Sequence, residues 1–189
     1  MNKKVIFFSL LIAISISVNA QNIFKFGLAG GLNVSKITSD KDSKTLNGFH
    51  GGLISEFKLP IKLGFEADIL YSTKGGVYDG FNTNLQPTDW NYIISYIDVP
   101  IVAKFYILKV MNIQAGPQFS YLLSGKYDGT DVKDDLKSID MAIVAGLGLD
   151  VSKIHVAIRY NYGLTNISNL SNGDGKNNVI QASLGFWIK

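Results

Sequence analysis

The 189-residue sequence carries 18 Lys+Arg against 15 Asp+Glu, is 47% hydrophobic and has no cysteine. The lack of cysteine excludes disulfides, thiolate metal centres and a cysteine nucleophile together. So small a charge excess gives no ground for nucleic-acid binding.

Residues 1–20 read as a secretory signal peptide. Lys3 and Lys4 supply the positive segment, an almost unbroken apolar stretch follows, and Val18-Asn19-Ala20 offers the small residues of a cleavage site before Gln21. The 14 residues of that stretch, 5–18, fall short of the roughly 20 that a spanning helix needs. Cleavage would leave 16 Lys+Arg against 15 Asp+Glu, so part of the basic character belongs to export. Residues 21–189 then suit a single domain.

The remainder alternates with a period of two, and eight strands are expected at 23–36, 47–59, 61–75, 91–108, 111–124, 138–152, 154–164 and 177–188. In the third, Ile61, Leu63, Phe65, Ala67, Ile69 and Tyr71 oppose Lys62, Gly64, Glu66, Asp68 and Ser72. The fifth sets Ile113, Ala115, Phe119, Tyr121 and Leu123 against Gln114, Gly116, Gln118 and Ser120. The seventh sets Ile154, Val156, Ile158, Tyr160 and Tyr162 against His155, Ala157, Arg159 and Asn161. In the eighth, Ile180, Ala182, Leu184, Phe186 and Ile188 oppose Gln181, Ser183 and Gly185.

The connections alternate in length. Tight turns fall at Leu59-Pro60, at Leu108-Lys109-Val110 and at Ser152-Lys153, while longer polar segments occupy 37–46, 76–90, 125–137 and 165–176. Membrane barrels have this asymmetry, with short periplasmic turns and long extracellular loops. The polar face is rich in small residues, which suit a narrow interior. Aromatic residues mark both ends of the apolar face, Tyr71, Tyr121, Tyr160 and Tyr162 toward the long loops and Phe24, Phe26, Phe57, Phe105 and Phe186 toward the short turns. The expected fold is therefore all-β: a closed eight-stranded antiparallel up-and-down transmembrane β-barrel in the outer membrane of a Gram-negative bacterium. Closure follows because an open sheet edge is forbidden in lipid. Pro100 and Pro117 fall inside strands, where each removes a ladder donor, so a bulge or kink is expected beside them.

Four stretches carry a family resemblance: Tyr96-Ile97-Asp98-Val99-Pro100-Ile101-Val102-Ala103-Lys104-Phe105, Asn112-Ile113-Gln114-Ala115-Gly116-Pro117, the segment 156–167, and Asn178-Val179-Ile180-Gln181-Ala182-Ser183-Leu184-Gly185-Phe186. In this order they resemble the PorT-like outer-membrane β-barrel family of Bacteroidetes, over essentially the whole mature chain. The resemblance implies an eight-stranded outer-membrane barrel and little about activity.

The candidate site is the lumen. Its inward face is expected to carry Lys25, Glu56, Lys58, Lys62, Glu66, Asp68, Asp98, Lys104, Asp150 and Arg159 as paired charges that plug a narrow barrel. Arg159 is its expected centre, with Asp98 and Glu66 as partners. No catalytic, cofactor or metal site is expected. His50 and His155 fall at opposite ends of the barrel, and Asn172-Gly173-Asp174-Gly175 and Asp40-Lys41-Asp42 lack the ligand spacing of a calcium loop. Tyr78, Phe81, Trp90 and Tyr127 in the long loops could meet a protein partner. The expected protein is a non-enzymatic monomer that contacts outer-membrane lipid and no nucleic acid. Two rival readings are a narrow pore or small-ligand channel, and a soluble lipocalin-like periplasmic binder with its apolar face inward.

Overall fold

A computed structural model of the chain describes residues 23–38, 43–81, 87–167 and 175–188; the expected signal peptide lies outside them. Among the described residues the regular elements are strands, apart from one short 3-10 turn, Lys133–Asp135. Eight long strands build the wall: β1 (Phe24–Thr38), β2 (Lys44–Lys58), β3 (Leu63–Phe81), β4 (Pro87–Tyr106), β5 (Met111–Tyr127), β7 (Ile139–Val151), β8 (Ile154–Gly163) and β9 (Lys176–Trp187). The ninth element, β6 (Thr130–Asp131), is a two-residue hairpin arm on β5.

Each wall strand pairs antiparallel with its neighbours in sequence. The first and last pair as well, from Gly27 opposite Trp187 to Thr38 opposite Lys176. The sheet is thus a closed ring, and no wall strand is left with an unsatisfied edge in the bilayer. The three short turns gather at one end of the ring, the periplasmic end in outer-membrane barrels, and the longer connections at the other, the extracellular end in such barrels.

The alternation resolves in one sense. Leu32, Leu53, Ile69, Ile143, Leu147, Ile158 and Leu184 are all more than half exposed, while Glu66, Asp98 and Lys104 on the other face are fully buried. Apolar side chains therefore point outward and ionic ones point to the axis, which removes the soluble lipocalin-like reading. A water-soluble barrel would bury the opposite face. Five outward residues of β8, Ile154 to Tyr162, cover about 26 Å of strand, or about 20 Å along the membrane normal at a tilt near 40°. Tyr121, Tyr160 and Tyr162 are exposed at one end of this band and Phe24, Phe57, Phe105 and Phe186 at the other.

Three features differ from expectation. First, the segment 76–90 is mostly strand: β3 and β4 stay paired from Gly76 opposite Tyr92 up to Phe81 opposite Pro87, as a ribbon rising above the ring. Cross-strand pairs such as Val77–Asn91 and Tyr78–Trp90 carry the ladder past Gly75 and Gly76. Gly75, at φ 149°, marks where the ribbon leaves the barrel; a Cβ there would collide with the Tyr92 carbonyl.

Second, the ladder is interrupted beside the prolines without a shift of register. Pairs are missing between Ala67–Ile101 and Leu70–Asp98 on one side of β4, and between Pro100–Gln118 and Ala103–Ala115 on the other. True register shifts occur higher, between Thr45 and His50 and between Ser95 and Tyr96, near the base of the ribbon. A missing donor breaks a hydrogen bond, whereas a bulge also needs an extra residue.

Third, Lys62 does not enter the lumen. β3 begins at Leu63, and Lys62 is an exposed turn residue at φ 62°. Ile61 likewise belongs to the turn, 67% exposed. Parity fails here because a turn residue in the left-handed region no longer follows the pleat.

Candidate functional site: the barrel lumen

Inward positions of eight strands converge on a narrow axis, so their side chains meet across the barrel as well as along it. Near the periplasmic end Asp150 of β7 collects contacts from four strands. Asn112 Nδ2 lies 3.0 Å and the Tyr106 hydroxyl 2.9 Å from Oδ2, and Trp187 Nε1 lies 3.1 Å from Oδ1. His155 Nδ1 is 2.8 Å from the same carboxylate, and Lys104 Nζ 3.2 Å. Glu56 of β2 shares the single Tyr106 hydroxyl proton with Asp150 and lies 3.4 Å from Lys104.

Lys104 joins this group to the barrel centre through Glu66 at 2.6 Å. Glu66 of β3 also receives Arg159 Nη2 of β8, a strand on the far wall, while Arg159 Nη1 holds Asp68 at 2.9 Å. Arg159 Nε donates to Gln114 Oε1 at 2.9 Å, so guanidinium donors reach both β3 and β5. The fork geometry suits this: one planar group serves two carboxylates and an amide at fixed angles. A third unit lies above, where Lys74 Nζ sits 2.8 Å from Asp98 and 3.3 Å from Ser120 Oγ.

Glu56, Glu66, Asp68, Asp98, Lys104, Asp150 and Arg159 are therefore buried within the lumen. Arg159 is central, as expected, but its second carboxylate is Asp68; Asp98 belongs to Lys74. Lys25 and Lys58 are half-buried at the periplasmic mouth, with Lys58 Nζ 3.5 Å over the Tyr106 ring, and Lys62 is outside. Sequence reasoning puts Asp140 and His155 on polar faces but leaves them out of the lumen charge set, and it misses Lys74 and Tyr106. Lys74 shares parity with Glu66, Asp68 and Ser72, a signal that was available; its nearness to an expected loop concealed it. Six buried carboxyl groups face three buried Lys and Arg among the described residues. Neutral donors meet the surplus, including Tyr106, Asn112 and Trp187 at Asp150 and Asn177 at Asp140.

His50 makes a Ser-His-Asn arrangement, with Nδ1 2.9 Å from Asn33 Oδ1 and Nε2 2.9 Å from Ser183 Oγ. Those are the contacts of a nucleophile, base and orienting group. All three residues are buried, and the ring packs so closely on β1 that a Cβ on Gly31 would lie 2.7 Å from His50 Cε1. Asn33 Nδ2 also bonds Ser72 Oγ at 2.9 Å and the Thr73 carbonyl at 3.0 Å. The group ties β1, β2, β3 and β9 together.

The extracellular mouth has a different filling. Ile37, Ile94, Tyr96, Leu122, Leu136 and Ile167 form a buried apolar cluster with Tyr78 and Tyr92 packed on it. Leu136 arrives from the segment after β5. That segment turns at Asp128 and Gly129, both at positive φ, pairs through β6, and winds through the 3-10 turn. Gly125 makes room for it, since a Cβ there would collide with Leu136 Cδ1. Lys137 N donates to the Ile167 carbonyl at 2.9 Å, which joins two loops over the mouth. Outside, the Tyr127 ring lies tilted against Trp90 and edge-on to Tyr92, with centroids 5.2 and 5.7 Å apart, and Lys44 Nζ bridges Asp79 at 2.5 Å and Asp89 at 3.2 Å at the foot of the ribbon.

Comparison with known proteins agrees with this architecture. Neisserial surface protein A superposes with a TM-score of 0.59 at 14% identity, over 85% of this chain and 96% of that one. Ail, the attachment invasion locus protein of Yersinia pestis, gives 0.51 at 17% identity, over 87% and 98%. Ail in complex with the heparin analogue sucrose octasulfate gives 0.52 at 16%, over 88% and 99%. No curated protein matches the sequence. A family model described as outer membrane protein beta-barrel domain matches residues 19–169, which with the closed ring and outward apolar band means that the chain belongs to the outer membrane β-barrel domain family.

Proposed function

We propose that this protein is a non-enzymatic, monomeric outer-membrane barrel with a closed lumen, acting through its extracellular ribbon and loops as an interaction surface. Residues 1–20 are its cleaved export signal, and the chain falls in the PorT-like branch of the family on the four sequence stretches given above. The observation that carries the closed lumen is the chain of contacts from Asp150 through Lys104 and Glu66 to Arg159 and Asp68, which crosses the axis from wall to wall. An ion in transit would have to break contacts between fully desolvated charges, which is costly. The apolar cluster over the opposite mouth supports the same reading.

The interaction role draws on the ribbon of β3 and β4. It rises above the ring on a rigid scaffold and presents Trp90, packed against Tyr127 of β5, beside Lys44, Asp79 and Asp89. That the two structural neighbours are by name a surface protein and an attachment protein is in keeping with this role.

Conductance in planar bilayers tests the closed lumen. The refolded protein is expected to give no steps above the bare-membrane baseline. Reproducible single-channel steps would replace this reading with the narrow pore.

A further inference from the structure

The periplasmic end holds a site that the closed lumen does not explain. Each short turn or its approach carries lysine: Lys58 and Lys62 flank the β2–β3 turn, Lys109 sits in the β4–β5 turn and Lys153 in the β7–β8 turn, with Lys25 at the start of β1. Among the described residues these turns contain no carboxylate, and none of the five lysines makes an ion pair. The acids just inside, Glu56, Glu66 and Asp150, are buried and all bound to Lys104. The extracellular end has no such bias, since Lys44 there is matched by Asp79 and Asp89.

Three of the rim lysines share a cavity. A cleft of about 620 Å³ lies between the β2–β3 and β4–β5 turns, lined by Lys58, Lys62 and Lys109 and by apolar Pro60, Ile107 and Leu108. Lysine heads thus stand beside apolar surface in a recess large enough for a polar headgroup. The outer rim continues that surface, for Ile61 is 67% and Leu108 62% exposed. The height is set by the exposed Phe57, Phe65 and Phe105, which lie one or two residue pairs above the same turns in the aromatic belt. A cleft directly below that belt meets the phosphate layer of the periplasmic leaflet.

We propose that this cleft binds an anionic glycerophospholipid of the periplasmic leaflet, its phosphate held by Lys62 and Lys109 and its glycerol and upper acyl carbons resting on Ile107, Leu108 and Ile61. Basic recesses at the membrane surface hold acidic headgroups through the same charge complementarity, with screening weak so close to the apolar boundary. The site would anchor the short-turn end of the barrel in its leaflet. It stands independently of whether the lumen conducts.

The test uses the mature chain refolded into nanodiscs of equimolar phosphatidylcholine and phosphatidylglycerol, then released into detergent for native mass spectrometry. Retained lipid is expected to be mainly phosphatidylglycerol, and Lys62→Asn with Lys109→Gln should reduce its excess by about fivefold per lysine removed. Asn is chosen at Lys62 because it tolerates the positive φ of that turn. Heat-modifiable gel mobility verifies that the variant is folded, and Lys62→Arg with Lys109→Arg should keep the preference. Equal retention of the two lipids by the unaltered protein, a reading that needs no variant, would overturn the proposal. So would displacement of the lipid by inorganic phosphate at matched headgroup concentration, which assigns the cleft to free phosphate, or preferential capture of a polyglutamate peptide, which makes it a protein-docking site.

Discussion

The two ends of the lumen are filled by opposite chemistries. From the periplasmic side to mid-barrel, side chains of the wall itself meet in ion pairs across the axis, Lys104 with Glu66 and Arg159 with Glu66 and Asp68. At the extracellular mouth the filling is apolar, and two of its members, Leu136 and Ile167, come from loops. The difference follows from what each region must tolerate. Wall side chains are locked by the ladder, so charges placed there can be paired with fixed geometry, and an error is expensive because a desolvated charge has nowhere to go. Loop side chains are held less tightly, and apolar contacts tolerate small displacements that would break a charged hydrogen bond. The deep part is therefore expected to be rigid and unforgiving, and the mouth softer and locally separable.

The sharpest way to break this contrast is Arg159→Ala. It strands Glu66 and Asp68 without their guanidinium partner and should cost about 3–5 kcal/mol, read as a lower urea midpoint or melting temperature in detergent or lipid. An unchanged unfolding curve would mean that the central pairs do not hold the wall together. Next in size is Leu136→Ala, which empties a 4% exposed position in the mouth and should cost about 2 kcal/mol, the low end for such a truncation because nearby loops can settle inward. Amide exchange should separate the two variants further. Leu136→Ala is expected to raise exchange in 125–137 and 164–167 and leave the β3–β4 and β7–β8 ladders protected, whereas Arg159→Ala should weaken those ladders. Equal cost and equal spread would remove the distinction between the ends.

The smallest effect belongs to the ribbon foot. The Lys44 ammonium holds the exposed Asp79 carboxyl below the ordinary aspartate value, and Asp79 and Asp89 raise Lys44 in return. A depressed carboxyl pKa means that this contact contributes above the ordinary aspartate value and is lost as pH falls through the depressed one. Lys44→Ala should return Asp79 to the usual range in an NMR titration of its carboxyl carbon while leaving the melting temperature unmoved. A titration of Asp79 that ignores the substitution would show that the pair does not persist in solution.

Much of the barrel was legible along the chain. The period-two faces, the Leu59-Pro60, Lys109 and Lys153 turns and the two aromatic belts are local signals, each read within a few residues. The hydrocarbon environment reduces the number of architectures that can satisfy such signals to one closed ring. Parity also brought seven of the ten expected lumen charges to the buried interior, and it failed at Lys62 because a left-handed turn residue breaks the pleat. The ribbon at 76–90 was hidden because Gly75, Gly76, Asp79 and Gly80 look like loop residues when the partner strand is out of sight.

What the sequence by itself determined is the cylinder: strand number, the face turned to lipid, and the end at which the short turns gather. Only the tertiary structure decided who meets whom inside it. Glu66 and Arg159 are 93 positions apart on strands that never pair, and their contact depends on the stagger and tilt of the whole ring. The same holds for Lys74 with Asp98 and for Leu136 over the mouth. Alternation places a side chain on a face, but its height on the axis is summed over every register between two strands, and no local pattern carries that sum.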